Sequence, residues 1–166
     1  TVHVTTGAVA GHSVLEDVPD ELAATVVSRI VLVGQDDLGQ RMAIEAEHVS
    51  ATFVEANGER VAVVGEQLDS STVALAVCPT VAGAGAMLSV ALAGAPVAGT
   101  PLPLGVVAGP ANAERSRVSG DSLDFAIRGR GRAFALHLVD GAGNELARGG
   151  QTVSVTSTCC GVSTNG

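Results

Sequence analysis

The chain of 166 residues contains no tryptophan, no tyrosine and no lysine, and only three phenylalanines. Without large aromatic side chains, its core must be built from smaller apolar residues, chiefly valine, alanine and leucine. β-Branched side chains lose rotamer freedom in a helix and pack well on a pleated sheet. The composition therefore favours strands, and the 46% of hydrophobic residues is enough for a packed core.

Positive charge is also scarce, because nine arginines stand against 17 acidic residues and the formal net charge is -8. Such a chain repels nucleic acid phosphates and anionic lipid, so we expect no nucleic-acid partner. No run approaches the roughly 18 apolar residues that span a bilayer, and direct membrane insertion is not expected. The chain starts at Thr1 without a signal-peptide pattern, which favours a fragment of a longer protein.

Cysteine is too scarce for a disulfide framework, since the three cysteines are Cys78 and the adjacent pair Cys159 and Cys160. An antibody-type immunoglobulin domain would carry cysteines in its second and sixth strands and a tryptophan between them, so the composition disfavours that subtype. We expect Cys159 and Cys160 to be reduced thiols. Metal binding, or pairing with cysteines outside this chain, is the alternative.

What the chain does contain is a series of short apolar runs separated by turn residues. Met42, Ile44 and Ala46 alternate with polar or small residues, which is the period of a half-buried strand. Asn57-Gly58 is a strong hairpin signal. An irregular edge strand is predicted within 12–22, and the further predicted strands are 26–34, 42–49, 52–54, 60–64, 72–78, 87–92 and 102–107.

Strands of this length, with turns every 8 to 12 residues and no helical period, predict an all-β antiparallel sandwich. We interpret Gly83-Ala84-Gly85 as a corner between two strands. The run 94–109 reads as a tight turn and a last strand, after which the chain leaves the domain.

The sequence also repeats itself. A shift of 104 positions places Ile30-Val31-Leu32 on Phe134-Ala135-Leu136, Asp36 on Asp140 and Gly39 on Gly143, and Val14 falls on Val118 in the same register. Because the match keeps both the core face and the turn glycine over the length of one domain, it predicts a tandem repeat.

This ordered series resembles the filamin-type (filamin/ABP280) immunoglobulin-like repeat, over nearly the whole chain. The first copy departs from the family in having no aromatic residue in the predicted strand 87–92. The resemblance implies immunoglobulin-like β-sandwich repeats in tandem. The segments that carry it are 30–40, 57–59, 73–83 and 94–107 in the first copy, and 116–120 and 134–144 in the second.

The resemblance divides the chain into three parts. Residues 1–10 are expected to be the end strand of a preceding repeat or a linker, residues 11–109 a complete repeat, and residues 110–166 the N-terminal half of a second, incomplete repeat. Half a sandwich leaves apolar faces and strand edges open, so we expect the missing half in the parent protein.

Metal and catalytic chemistry find little support. Asp36, Asp37 and Asp140 could supply oxygen ligands to calcium, but their spacing matches no calcium loop, and aspartate also stabilises turns through its own backbone. The four histidines lack the close spacing of a zinc site. We therefore interpret the aspartates as turn residues and predict no metal site.

The tract Arg128-Gly-Arg130-Gly-Arg132 resembles a short RNA-binding segment, but in this acidic chain a solvated loop is expected, with an acidic protein as the alternative partner. No nucleophile, base and orienting acid come together, and no glycine-rich phosphate loop lies between a strand and a helix. We expect neither an enzyme nor a cofactor.

The resemblance implies a structural or scaffold module that acts as a spacer and binds other proteins and neighbouring repeats. Filamin-like repeats add an extended peptide to the edge of their third and fourth strands, which are 42–49 and 60–64 in this sequence. A merely protected, charged edge is the alternative interpretation. The candidate residues are Ile44, Glu45, Ala46, Glu47, His48, Val61 and Val63.

Two further classes remain open. One is a cell-surface adhesion ectodomain of the gamete-adhesion type, and the other is a spacer subunit of a ciliary or filamentous assembly. A scaffold would be cytoplasmic, cytoskeletal or ciliary, whereas an adhesion protein would be extracellular. The chain contains no Asn-x-Ser/Thr glycosylation sequon, which disfavours the extracellular alternative.

Overall fold

The computed structural model describes residues 7–120, 131, 133–159 and 162–165. The predicted end strand at 1–6, the three arginines of the tract at 128–132 and Cys160 lie outside the described residues. No helix in the described part is long and apolar enough to cross a membrane.

Nine strands up to residue 107 form one curled sheet. They are β1 (Val14–Glu16), β2 (Glu21–Ala23), β3 (Ser28–Val33), β4 (Val49–Val54), β5 (Arg60–Asp69), β6 (Thr72–Val77), β7 (Gly83–Leu92), β8 (Ala95–Pro96) and β9 (Leu102–Val107). The all-β architecture expected from the composition is confirmed.

The sheet folds over into two layers because β5 pairs with β4 through its first residues and with β6 through its later ones. One layer is β1, β3, β6 and the second half of β5, and the other is β4, β7, β9 and β2. The predicted edge strand within 12–22 is split between the layers, since β1 pairs with β3 while β2 runs parallel to β9. Pro19 stands between the two pieces, where it has no ladder hydrogen bond to donate.

The core lies between these layers and uses the predicted faces of the strands. Ile30 and Leu32 from β3, Leu75 from β6 and Leu88 from β7 are fully buried. Phe53 from β4 is the largest side chain among them. Burying each of these side chains contributes about 1.5–3 kcal/mol, so this cluster supplies much of the stability.

The predicted strand at 42–49 is wrong. Only Val49 belongs to a strand, and Ala46–His48 form a short 3-10 helix. The segment 42–48, called the strap below, does alternate in burial, since Ile44 is buried and Ala46 is half-buried.

The backbone of the strap does not form a strand ladder, because one of its N–H groups bonds to a backbone carbonyl and another to a side chain. The Ile44 N–H donates to the Ser70 carbonyl at 2.9 Å, whereas the Ala46 N–H donates to Gln67 Oε1 at 2.7 Å. Gln67 Nε2 in turn donates to the Ile44 carbonyl at 3.0 Å. One side chain of β5 thus replaces the neighbouring strand.

The glycine-rich corner predicted at Gly83-Ala84-Gly85 is also wrong, because β7 begins at Gly83 and continues to Leu92. The pairing with β9 shifts register between Gly83 and Ala86, and Gly85 has φ +92°. Glycine adopts this left-handed conformation without a steric penalty, so the segment is a bulged strand.

Beyond β9 the chain forms two small antiparallel pairs. They are β10 (Arg117–Ser119) with β11 (Ala135–His137), and β12 (Thr156–Cys159) with β13 (Val162–Asn165). Val118 lies opposite Leu136 as Leu15 lies opposite Leu32, so the alignment of Val14 with Val118 is wrong by one position. The repeat distance is therefore 103 residues in the first strand and 104 in the second.

Candidate functional site: an edge strand and a polar junction

The predicted peptide-binding residues separate into two groups. Ile44 is buried, and Ala46, Val61 and Val63 are half-buried against the core. These four side chains therefore pack against the core and contribute to the stability of the fold. The exposed members are Glu45, Glu47 and His48, all on the strap.

The exposed group forms a small charged cluster. His48 Nδ1 lies 3.8 Å from a carboxylate oxygen of Glu45, and His48 Nε2 lies 3.9 Å from one of Glu47. In the described part of the chain these are the three residues of the His, Cys, Asp and Glu type that come close enough to hold a metal ion. Because all three are exposed and already pair with one another, their proximity needs no ligand to explain it.

An open edge lies on β5, which contains the predicted strand 60–64. Among the described strands, the residues of β5 pair with one neighbour each, β4 first and β6 afterwards. Val64 and Leu68 are 63% and 51% exposed on this strand. An edge with unpaired backbone groups and apolar side chains is the kind that accepts an added strand.

A second polar system begins at Glu55, directly after β4. Its side chain is buried, with 2% exposure. The carboxylate accepts hydrogen bonds from the N–H groups of Thr80 and Val81, the latter at 3.0 Å, and from the Thr80 hydroxyl at 3.0 Å. Glu55 thereby fixes the loop that joins β6 to β7.

Asp140 approaches the same end of the sandwich from the C-terminal segment. It is fully buried. Its Oδ2 accepts the N–H of Gly109 at 2.9 Å, just after the end of β9. A Cβ at Gly109 would lie 2.0 Å from the Ala24 carbonyl oxygen, so the close approach of the backbone requires glycine.

Two opposing effects set the pKa of Asp140. Burial raises it, but hydrogen bonds from the Asn144 side chain and from the N–H groups of Gly109, Asn144 and Ala142 lower it by more. The net result is a pKa below the ordinary value. Asp140 is therefore an ionised acceptor in the junction, and a hydrogen bond to a charged acceptor is stronger than a neutral one.

Asn144 completes the contact between the C-terminal segment and the sandwich. Its Oδ1 accepts the Ala82 N–H at 2.9 Å, and its Nδ2 donates to the Thr80 carbonyl at 2.8 Å. At the rim, Arg148 forms an exposed salt bridge to Glu21 at 2.9 Å. A cleft of about 400 Å³ lies beside these groups, so the junction depends on hydrogen bonds more than on close apolar packing.

The two aspartate turns share the hydrogen bonds from backbone N–H groups to the aspartate Oδ1. We call residues 36–40 the first turn and residues 140–144 the second turn. Asp36 Oδ1 accepts the N–H groups two and four positions later at 2.9 and 2.8 Å, and Asp140 Oδ1 does so at 2.9 Å for both. The interpretation of both aspartates as turn residues is confirmed.

The segments ahead of these turns match as well. The Gln35 N–H donates to Ser13 Oγ at 3.2 Å, and the Val139 N–H donates to Ser116 Oγ at 3.2 Å. Each serine hydroxyl in turn donates to the carbonyl four positions earlier, at 3.0 and 2.7 Å. The repeat read from the sequence is therefore also a repeat of hydrogen bonds.

Sequence reasoning missed Glu55 and the docking role of the second turn. Glu55 gave a weak signal, because an acidic residue ends an otherwise apolar strand ahead of Asn57-Gly58. The partners of Asp140 and Asn144 in the sandwich are backbone groups, which every residue type carries and which leave no mark in a sequence.

Comparison with solved structures places this fold among known modules. The Lin-41 filamin domain matches with a TM-score of 0.54 at 20% identity, over 61% of this chain and 97% of that domain. The adhesin FdeC of Escherichia coli matches with a TM-score of 0.69 at 16% identity, over 92% of this chain and 48% of the adhesin. No family model and no curated protein matches the chain.

Identities this low show a shared fold. Together with the two-layer topology, they define an all-β chain with a filamin-like immunoglobulin fold. The match to the adhesin takes in most of the chain, which spans about half of that protein's length.

Proposed function

We propose that the chain is a non-catalytic spacer and protein-interaction segment of a longer multi-repeat protein. In this proposal residues 11–109 are a complete repeat, residues 110–166 begin a second one, and residues 1–10 are a linker or the end of a preceding repeat. The observation that carries it is the hydrogen bond from the Gly109 N–H to Asp140, which joins the second turn to the end of the first sandwich.

The connection between the two parts is short. Three residues, 108–110, lie between the end of β9 at Val107 and the bridge of Ala111 to Asp140. A short linker combined with buried hydrogen bonds limits the angles that successive units can adopt, whereas a flexible linker alone leaves relative motion as the default. This favours a stiff spacer.

A replacement experiment in the full-length protein tests the spacer role. Deleting residues 11–109 should shorten the molecule by roughly 30–40 Å, from the rise of about 3.3 Å per residue along a ten-residue strand, as seen by electron microscopy. An unrelated immunoglobulin-like module in their place should restore both length and function. An unchanged length after deletion would contradict the spacer role.

The same sandwich has an edge suited to a partner. We place the candidate surface on the outer side of β5, with Val64 and Leu68, and retain Glu45, Glu47 and His48 of the strap as its charged border. Support comes from the one-sided pairing of β5 and from its exposed apolar side chains. An extended peptide that adds to β5 would pair with open backbone groups and cover both side chains.

Val64→Arg tests this surface against a matched control. Val27 is equally exposed, at 62% compared with 63% for Val64, but lies outside β5. Val64→Arg should weaken recovery of the native partner while Val27→Arg should not, with both variants folded by circular dichroism. Equal recovery of the partner by both variants would rule out the β5 edge.

Cell-surface adhesion is a second candidate, and the adhesin match over 92% of the chain favours it. Antibodies raised against the chain decide between the two. Labelling of intact cells would support an adhesion ectodomain, whereas labelling only after permeabilisation would support an internal scaffold or a ciliary spacer.

A further inference from the structure

The second turn shows how an aspartate turn of this type contacts another unit. Asp140 Oδ1 accepts backbone N–H groups of its own turn. Its Oδ2 accepts both the Gly109 N–H of the sandwich ahead of it and Asn144 Nδ2 of the turn. The amide of Asn144 accepts the N–H of Ala82 and donates to the carbonyl of Thr80. Oδ1 therefore stabilises the backbone of the turn, and Oδ2 supplies the contact to the sandwich.

The first turn has the same hydrogen bonds to the aspartate Oδ1. In the described part of the chain, its Oδ2 has no partner. Asp36 Oδ1 is occupied by the turn, as in the second copy. Within the part of the chain that the structure describes, Asp36 Oδ2 accepts no hydrogen bond, and the side chain of Gln40 makes none. Leu38, in the same turn, is 75% exposed.

The first turn differs from the second at the position that faces the sandwich, because Asp37 stands where the second turn has Gly141. A Cβ at Gly141 would lie 3.8 Å from Thr25 Cγ2 of the sandwich, which is ordinary van der Waals contact. The Cβ that Asp37 adds therefore causes no backbone clash at this position.

We propose that the first turn is a docking site for another immunoglobulin-like module of the same type, placed ahead of this one. Asp36 Oδ2 would accept a backbone N–H at the end of that module's last strand, as Asp140 accepts that of Gly109. Gln40 would contact the loop that corresponds to 80–82. The inference rests on the proposed tandem function and extends it to the opposite end of the sandwich.

Two differences set the expected strength of this second junction. Gln40 is one methylene longer than Asn144, so its amide loses more rotamer freedom on docking. Ile44 stands at the position of Arg148 and is buried in its own sandwich, so the rim salt bridge to Glu21 has no counterpart. An exposed pair contributes little, and the aspartate remains the main determinant.

A tandem chain tests the proposal directly. Residues 1–109 are joined to residues 7–166, because Gly7 aligns with Pro110 at the repeat distance of 103. In this tandem chain, Asp36 of the second unit follows the last strand of the first unit. Asp140 follows the last strand of the second unit in the same way. Hydrogen exchange of the two Gly109 amides, each in a segmentally labelled unit, reports both junctions in one molecule.

Asp36→Asn in the second unit is the variant, since asparagine keeps Oδ1 for the turn and replaces Oδ2 by a donor. We expect the Gly109 amide of the first unit to be protected and the variant to lower its protection about tenfold or more, the value of one hydrogen bond to a charged group. The same substitution in the first unit is the matched control and should change neither Gly109 amide.

Two results would overturn the proposal. If the first Gly109 amide exchanges at the unprotected rate while the second is protected, the first turn does not dock and the spacer function stands. If the Gly109 amide of the native 166-residue chain is also unprotected, the junction itself fails, and the proposed function fails with it.

Discussion

Asp140→Asn tests the junction while keeping the backbone hydrogen bonds of the turn. Asparagine keeps Oδ1 as the acceptor for the N–H groups of Ala142 and Asn144, so both of these hydrogen bonds remain. Its amide nitrogen, however, then faces the N–H of Gly109 and Nδ2 of Asn144, both of which are donors.

The size of the effect follows from these contacts. At the junction the variant loses the hydrogen bond from Gly109 to a charged acceptor, worth about 1.5–3 kcal/mol, and leaves the Gly109 N–H without an acceptor, which costs about 1–3 kcal/mol. These values overlap, because the second is partly contained in the first. Within the turn the variant also loses the hydrogen bond from Asn144 Nδ2. We expect the junction to be destabilised by about 2–4 kcal/mol, equivalent to a fall of roughly 30- to 700-fold in amide protection.

Native-state hydrogen exchange at Gly109 measures this change in the intact chain. Asp36→Asn is the control, because it alters the same type of turn at a site that contacts no second unit among the described residues. Gly109 protection should fall in Asp140→Asn and stay constant in Asp36→Asn. Equal effects of the two substitutions, or none from either, would refute the docking role of Asp140.

The remaining predictions concern the supports of the junction. Glu55→Ala leaves two N–H groups without acceptors and should lower the free energy of unfolding, measured in urea, by about 2–4 kcal/mol. The control Glu59→Ala, at an exposed site, should change this free energy by less than about 0.5 kcal/mol. Similar losses in the two variants would contradict a structural role for Glu55. Gly109→Ala should destabilise the chain by about 1–3 kcal/mol or more, because the new Cβ meets backbone. Gly11→Ala, with nothing within 4 Å, should be nearly neutral, and a tolerated Gly109→Ala would refute the close approach. Acid should open the junction, because the pKa of Asp140 in the folded chain is lowered from its ordinary value of 3.8. The stabilising contribution of Asp140 is therefore complete above pH 3.8 and is lost as the pH falls through the lowered pKa. Gly109 protection, corrected for intrinsic exchange, should show this step in the native chain and not in Asp140→Asn, and a step well above pH 3.8 would point to another group.

The sequence predicted the parts of the fold in which burial and backbone pairing follow the same pattern. In β3 and β7, burial alternates along most of the strand and the backbone pairs with a neighbouring strand, so both follow from a period of two. The hairpin at Asn57-Gly58 followed from local turn chemistry.

The strap shows why the rest could not be predicted. Its alternating burial is that of a strand, but the Ala46 N–H bonds to the side chain of Gln67, 21 positions away. Hydrophobic period reports which side chains are buried and carries no information on the partners of the backbone. The strand predicted at 42–49 is wrong for this reason, whereas the peptide-binding surface predicted at 42–49 and 60–64 stays a prediction.

The junction was visible in the sequence only as a repeat. The match of Asp36 with Asp140 revealed two equivalent turns, but both turns build the same local structure. What distinguishes Asp140 is its burial against Gly109, a contact between residues 31 positions apart. Such a contact depends on how the units stack, which one copy of the turn cannot reveal.

In the proposed spacer, docking of the second turn makes residues 8–109 move as one body with a second segment, residues 111–120 and 133–146. Residual dipolar couplings of backbone N–H groups in the two segments measure their relative orientation in solution. We predict that a single alignment tensor fits both segments in the native chain and that two different tensors are required in Asp140→Asn. Two different tensors in the native chain would contradict the stiff junction and, with it, the spacer function.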